Sequence, residues 1–375
     1  MKKSIINTVI LILLLTNCTM TNKQSSSQNL DKFGGCKDKH FELENNGFFR
    51  TTFHNGQWWL VTPENNAFLS FGLNHFHSDL WRKDYNKTHW EDEFGGEVYS
   101  LEWEEGFYNL AQDIVKATGA NTMAYHNEER ILLERKPLLP YIKQYLPLKI
   151  SFHMRATAED YVDVFAPEFK QICDKAAQEQ VAPFVNDTMI IGFAMTDIPV
   201  LTEGWAKFVT RYGFDIPTWA RVLRNLPASS PGKQHYVRTM KDQYVSIKEF
   251  NVVYGTDFSS WIELKEVENW RPLTDFENNN EVTDNNRFNK LCIKKYYETA
   301  SASFRAVDKN HLFLGDKLNA NVDITDLEIM VDAAKDYVDV ILYQFFGKDD
   351  YQKEFQNIIA TVSNLPMING DGGFG

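Results

Sequence analysis

The sequence predicts an α/β chain folded as a (β/α)8 TIM barrel, with an N-terminal β-hairpin and a long insertion after the fourth strand. Three observations carry that reading. Short apolar runs alternate with amphipathic segments through most of the 375 residues, the rhythm of a parallel sheet covered by helices. An Asn55-Gly56 turn between two β-rich runs lies ahead of that rhythm and marks a hairpin. Polar residues follow one apolar run after another, at the strand ends where a barrel gathers its polar groups.

The first element is not part of the barrel. Lys2-Lys3 precede an apolar run from Ile5 to Leu15, which ends in Leu15-Thr16-Asn17-Cys18. The run is short for a bilayer span, and the order resembles a bacterial lipoprotein signal. That resemblance implies removal of residues 1–17, lipidation of Cys18, and a protein tied to the bacterial cell envelope, periplasmic or on the cell surface. An uncleaved anchor is the alternative, and it too leaves the rest outside the cytoplasm. Thr19 to Asp31 is polar and Ser-rich, so residues 18–46 are expected to be anchor and flexible tether. The barrel is expected over 47–375.

Phe48–Phe53 and Trp58–Val61 form the hairpin. Barrel strands are expected at Phe68–Asn74, Thr122–Tyr125, Leu148–Phe152, Ile190–Met195, His311–Gly315, Val338–Tyr343 and Pro366–Asn369. Covering helices are expected at Gly106–Thr118, Ala166–Ala182, Asn289–Val307 and Thr325–Lys335, with Leu201–Asn285 as the insertion. Gly375 follows directly on the seventh strand, so the eighth strand is expected from a longer gene product.

Composition narrows the function. With 51 acidic against 39 basic residues and a net charge of −12, the surface is unsuited to neutralising nucleic-acid phosphates. A mean hydropathy of −0.40 with one apolar run excludes a polytopic membrane protein. Aromatics make up 14%, which suits flat apolar ligands such as sugar rings as well as a core. After Cys18 only Cys36, Cys173 and Cys292 remain, too few and too scattered for a disulfide framework or a metal knuckle.

The strand ends carry the candidate chemistry. In order they present Asn74, His75 and His77; His126 and Asn127; His153 and Arg155; Thr196 and Asp197; Asp316 and Lys317; Tyr343 and Gln344; and Asp371. Each alone reads as a cap or turn former, but together they outline one polar cleft.

The stretch from Asn55-Gly56-Gln57-Trp58-Trp59 to Asn65, followed by Phe71-Gly72-Leu73-Asn74, resembles agarase-type clan A glycoside hydrolases near family 50. Gly119–Thr122, Asp163–Phe169, Asp187–Phe193, Tyr254–Trp261, Asn310–Asp316 and Leu365–Asp371 continue the resemblance in order. It implies a β-agarase-like glycosidase acting on an agarose- or porphyran-like galactan, with no cofactor, no metal and no obligate protein partner. It also shows departures. The family ends strand four with Asp-Asn-Glu, the Glu being the acid/base; here Ile198 stands in the Glu place and Asp197 in the Asn place. The strand-seven nucleophile Glu is replaced by Asp371.

Asp197 and Asp371 are therefore the candidate catalytic pair. Asn74, His75, His77, His126, His153, Arg155, Asp316, Tyr343 and Gln344 are the candidate substrate contacts, and Tyr343 resembles the tyrosine that steadies the strand-seven carboxylate. Two shortened side chains on opposite strands widen their gap, which makes inversion conceivable. Loss of both glutamates leaves open a sugar-binding barrel without hydrolysis. A metal-dependent hydrolase using His75 and His77 is the weaker alternative, because later strands lack its further ligands. One of Trp205, Trp219, Trp261 or Trp270 is a candidate sugar platform, against core packing for each.

Overall fold

The computed structural model describes residues 29–346 and 349–371. The signal segment, Cys18, Gly372 and Gly373 lie outside the described residues. Among the described residues no helix is long and apolar enough to cross a membrane.

Four short strands, β1 (Cys36–His40), β2 (Arg50–His54), β3 (Gln57–Val61) and β4 (Asn66–Phe68), form an antiparallel sheet in the order β1-β4-β3-β2. Asn55 and Gly56 turn the β2–β3 hairpin with φ of 52° and 80°, the left-handed pair that such a turn requires. The 18–46 tether is shorter than expected. Asp31 is buried and accepts from the backbone of Phe33 and Gly35, from Thr62 and from Asn66, which pins this segment to β4.

Seven parallel strands follow as one sheet: β5 (Gly72–Leu73), β6 (Thr122–Met123), β7 (Tyr141–Gln144), β8 (Ile190–Asp197), β9 (Leu312–Asn319), β10 (Ile341–Gln344) and β11 (Met367–Asp371). Each is hydrogen-bonded to the next in chain order, a curled barrel sheet. Two expected strands are corrected. The first is split, since Phe68 belongs to β4 and β5 is only Gly72–Leu73. The third is Tyr141–Gln144, not Leu148–Phe152, where Ser151 makes only an isolated bridge to Pro199. Lys143 disguised it: its amine lies 2.5 and 2.6 Å from Glu129 and Glu134 on a π-helical turn at Glu129–Arg135, so a charged residue can sit in a covered strand.

Helices α1 (Lys87–Phe94), α2 (Leu101–Thr118), α3 (Pro167–Gln180), α4 (Glu203–Thr210), α5 (Trp219–Leu223), α6 (Pro231–Gln243), α7 (Ile247–Tyr254), α8 (Trp261–Glu266), α9 (Asn279–Val307), α10 (Ile324–Ala334) and α11 (Asp349–Ser363) cover the sheet. Ser100 caps α2 and Gly119 at φ 73° ends it, as expected of a hydroxyl N-cap and a left-handed stop. Helix α9 buries Phe288, Cys292, Tyr296, Ala300 and Phe304 on one face. It starts ten residues before the expected Asn289 and carries the end of the insertion, because its first turns bury polar residues such as Glu281, Asp284 and Asn285 rather than apolar ones.

The small sheet stoppers the barrel. Phe33, Phe49 and Phe68 pack with Ile191, Leu312, Leu314 and Val340 in one apolar cluster. The edges β5 and β11 do not pair with each other. Between them runs a groove of about 480 Å³ lined by Trp58, Leu69, Gly72, Val340, Met367 and Ile368 among others.

Candidate active site

At the C-terminal ends of the strands lies a cleft of about 1110 Å³, lined among others by His75, His77, His126, His153, Asp197, Gln344 and Asp371. The backbone is strained there. His75, His126, Arg155 and Ile198, in the loops beyond β5, β6, β7 and β8, have φ of 57°, 58°, 53° and 40°. Side chains in this left-handed region cost roughly 1–2 kcal/mol each, and such strain concentrates at functional sites. A buried β-branched Ile198 is the most unusual of the four, and its N–H donates to the Lys317 carbonyl at 2.9 Å.

The centre is a fully buried ammonium. Lys317 projects from β9 and its Nζ lies 3.0 Å from Asp197 Oδ1 and 3.2 Å from Asp371 Oδ2. Those two oxygens are therefore no farther apart than the two contacts laid end to end. The lysine thus bridges the two carboxylates. Beneath the ammonium lies the Tyr125 ring, 4.6 Å from Nζ to centroid.

Two imidazoles complete the set. His126 Nε2 lies 2.8 Å from Asp197 Oδ2, and His75 Nε2 lies 3.3 Å from Asp371 Oδ2. The two rings stack with centroids 4.7 Å apart. Asn74 ties the sheet edges: its amide donates to the Gly370 carbonyl at 2.8 Å and to Asp371 at 3.3 Å, while its carbonyl accepts from Tyr125 N–H.

The electrostatics follow from this packing. Burial opposes the charge on Asp197, but the His126 hydrogen bond and the Lys317 charge outweigh it and hold the carboxyl below its ordinary value. For Asp371 burial is likewise outweighed, by Lys317 and then His75. Burial, then Asp197 and Asp316, push the Tyr125 phenol well up. Desolvation keeps His153 below the ordinary histidine value, with Asp197 pulling the other way.

Several expected contacts do not reach the cleft. Asp316 is buried behind the sheet, where it accepts from Thr196 N–H at 2.8 Å and from the Tyr296 hydroxyl at 3.2 Å, and burial pushes it up to about 7. Neighbours on a strand alternate faces, so Lys317 points in and Asp316 points out. Tyr343 is also turned outward: its hydroxyl accepts from Gln356 on α11, and Gln344 is the β10 residue on the cleft. Arg155 is exposed and does not line the cleft. His77 lies on the wall, 3.7 Å from Glu128, and shares no partner with His75. Among the described residues no three His, Cys, Asp or Glu side chains are placed to hold a metal ion.

Trp205 and Trp219 are buried, and Trp261 and Trp270 pack against the same core, so none of the four is a platform on the cleft. Besides the buried Tyr125, the non-histidine aromatics there are Tyr99 and Phe346, 53% and 45% exposed. Both stand in loops, where periodicity gives no signal. Lys317, read as lying just beyond the strand His311–Gly315, is inside the observed strand Leu312–Asn319, where a buried lysine needs partners.

No family model matches the chain. It is similar to beta-agarase B of Vibrio sp. (strain JT0107), 23% identical over 405 residues that cover 92% of this chain and 40% of that protein. Among solved structures, PfGH50B matches with a TM-score of 0.68 and 19% identity, covering 93% of this chain and 56% of that one. The agarase AgWH50C matches at 0.67 and 18%, covering 92% and 55%. An exo-beta-agarase matches at 0.69 and 18%, covering 93% and 56%. The chain thus spans 40% of the curated relative and just over half of each of these structures. The agarase-like resemblance read from the sequence is found in both comparisons, and the fold is that of the family 50 barrels.

Proposed function

We propose that this chain is the barrel of a glycoside hydrolase that cleaves an uncharged galactan of the agarose type, with Asp197 and Asp371 as its carboxylate pair. The observation that carries this reading is the convergence of two carboxylates, from β8 and β11, on Lys317 in a cleft wide enough for sugar rings. In a retaining reaction one carboxylate attacks the anomeric carbon while the departing oxygen receives a proton. Asp371, held ionised, is suited to attack; Asp197 stands on the leaving-group side. Tyr99 and Phe346 offer exposed faces for sugar stacking.

The charge of the walls favours a neutral chain over a sulfated one. Asp79, Glu128, Glu129 and Glu134 line the cleft besides the central pair. Among the described residues its guanidiniums, Arg82 and Arg130, are engaged by Asp79 and Glu104. A sulfate ester would meet carboxylates and cations already paired, which disfavours binding. The N-terminal Lys-Lys, apolar run and Leu-x-x-Cys order supports a lipid-anchored, extracytoplasmic protein. Mass spectrometry of the mature N-terminus tests it; residues 1–17 found intact would count against it.

The full chain, incubated with agarose-derived oligosaccharides, is expected to release new reducing ends. Asp371→Asn and Asp197→Asn each lower that rate by ~10²-fold or more. A second reading, sugar binding without hydrolysis, draws on the Lys317 bridge, which occupies both carboxylates. Oligosaccharide binding with no product from the unaltered protein would select it.

A further inference from the structure

The glycosidase reading leaves the proton unplaced. Breaking a glycosidic bond requires a proton for the departing oxygen, yet Asp197 and Asp371 are both held as carboxylates against Lys317. The position where the resemblance implies a proton-carrying Glu is Ile198, which is 2% exposed and has nothing to donate. The proton therefore has to come from another group on the Asp197 side of the cleft.

His126 meets the requirements of geometry. Its Nε2 lies 2.8 Å from Asp197 Oδ2, and its side chain is 29% exposed on the cleft. Its other ring nitrogen, Nδ1, makes no hydrogen bond to a described residue. The backbone holds it in the left-handed region at φ 58°, and His75 stacks on its ring. The charged or titratable groups that face it are Asp197 from β8, His75 beyond β5, His153, and Lys317 behind Asp197. A carboxylate on one imidazole nitrogen fixes the tautomer and stabilises the cation while the other nitrogen exchanges a proton, the division of labour in a His–Asp pair.

Resting on the glycosidase reading, we propose that His126 is the general acid and base of this site and that Asp197 is its positioning residue. In the first step an Asp371 oxygen bonds to the anomeric carbon as the bond to the leaving oxygen breaks. That oxygen keeps the electron pair and takes the Nδ1 proton of the His126 imidazolium. In the second step neutral His126 takes a proton from water, the water oxygen bonds to the anomeric carbon, and Asp371 departs as the carboxylate. One water is consumed, and both side chains return to their starting forms.

Leaving-group dependence tests this, because a 4-nitrophenolate departs without protonation and a sugar hydroxyl does not. His126→Ala and His126→Gln are made in the full chain and compared by kcat/KM on an agarose-derived oligosaccharide and on a 4-nitrophenyl β-galactoside. The expected result is a loss of ~10²-fold or more on the oligosaccharide and less than ~10-fold on the nitrophenyl substrate. Thermal melting identifies a variant that folds, and the Gln variant decides if the Ala variant does not. Equal losses on both substrates, or no loss on the oligosaccharide, overturn the assignment while leaving the glycosidase reading intact. An unaltered protein that binds the oligosaccharide and cleaves neither substrate overturns both.

Discussion

Two clusters of buried charge, one in the insertion that follows β8 and one in the cleft, are built differently. In the insertion, Glu203 accepts from Arg221 at 2.6 and 2.8 Å and from the Thr218 hydroxyl at 2.6 Å. Glu281 accepts from Arg224 at 2.6 Å and also from Arg271. Arg221 and Arg224 also donate to the Asp275 and Pro272 carbonyls. All but Arg271 are fully buried, and none lines the cleft. In the cleft, one lysine serves two carboxylates, each carboxylate holds an imidazole, and the backbone beneath is left-handed. The difference teaches what burial of charge is for. The guanidinium–carboxylate set ties helices of the insertion together away from the cleft, whereas the lysine–aspartate–histidine set faces an opening.

The insertion cluster should respond to damage in stability alone. Glu281→Gln leaves Arg224 and Arg271 without their carboxylate and is expected to cost about 3–5 kcal/mol, as for other broken buried pairs. Urea denaturation checks it, with kcat on residual folded protein unchanged. The cleft should lose less because water can enter it. Lys317→Met is expected to cost about 1–3 kcal/mol for the carboxylates it leaves unsatisfied. The larger change is in their titration: with the cation gone, burial dominates and both aspartates move up, which carboxyl NMR titration would show. If Lys317→Met costs as much as Glu281→Gln, the distinction between the clusters fails.

The smallest effect concerns Asp316, behind the sheet. Burial raises its folded value to about 7, so between the ordinary carboxylate range and that value the folded chain holds a proton that the unfolded chain releases. Stability from this group therefore falls as pH rises through that window. Asp316→Asn removes the titration, and unfolding measured at about pH 5 and about pH 8, on either side of that value, should differ less than in the unaltered protein. An unchanged pH slope would place the titration elsewhere.

The long covered strands were legible because both faces are buried. Ile190–Met195 and His311–Gly315 read as apolar runs, and the strands observed there extend to Asp197 and Asn319. Of the short strands, β6 falls within the expected Thr122–Tyr125, whereas β5 is only two residues and the ion-paired Lys143 hid β7. Faces were harder to read than ends. The pairing of β8 with β9 shifts register between Phe193 and Ala194 and again before Asp197, so counting alternate residues loses its parity near the cleft. The pairing of β10 with β11 shifts likewise between Tyr343 and Gln344, so strand ends alone do not separate Asp316 and Tyr343, which turn away from the cleft, from Lys317 and Gln344, which turn toward it. Tyr99 and Phe346 belong to loops, where no pattern of spacing marks a ligand face.

The Asn74 amide has a consequence of its own. Asp197 lies on β8, between β7 and β9, whereas among the described residues Asp371 is flanked by β10 on one side and by Asn74 on the other. Because the Asn74 carbonyl also accepts from the Tyr125 N–H, one short side chain couples the position of the strand-seven carboxylate to the backbone beside His126.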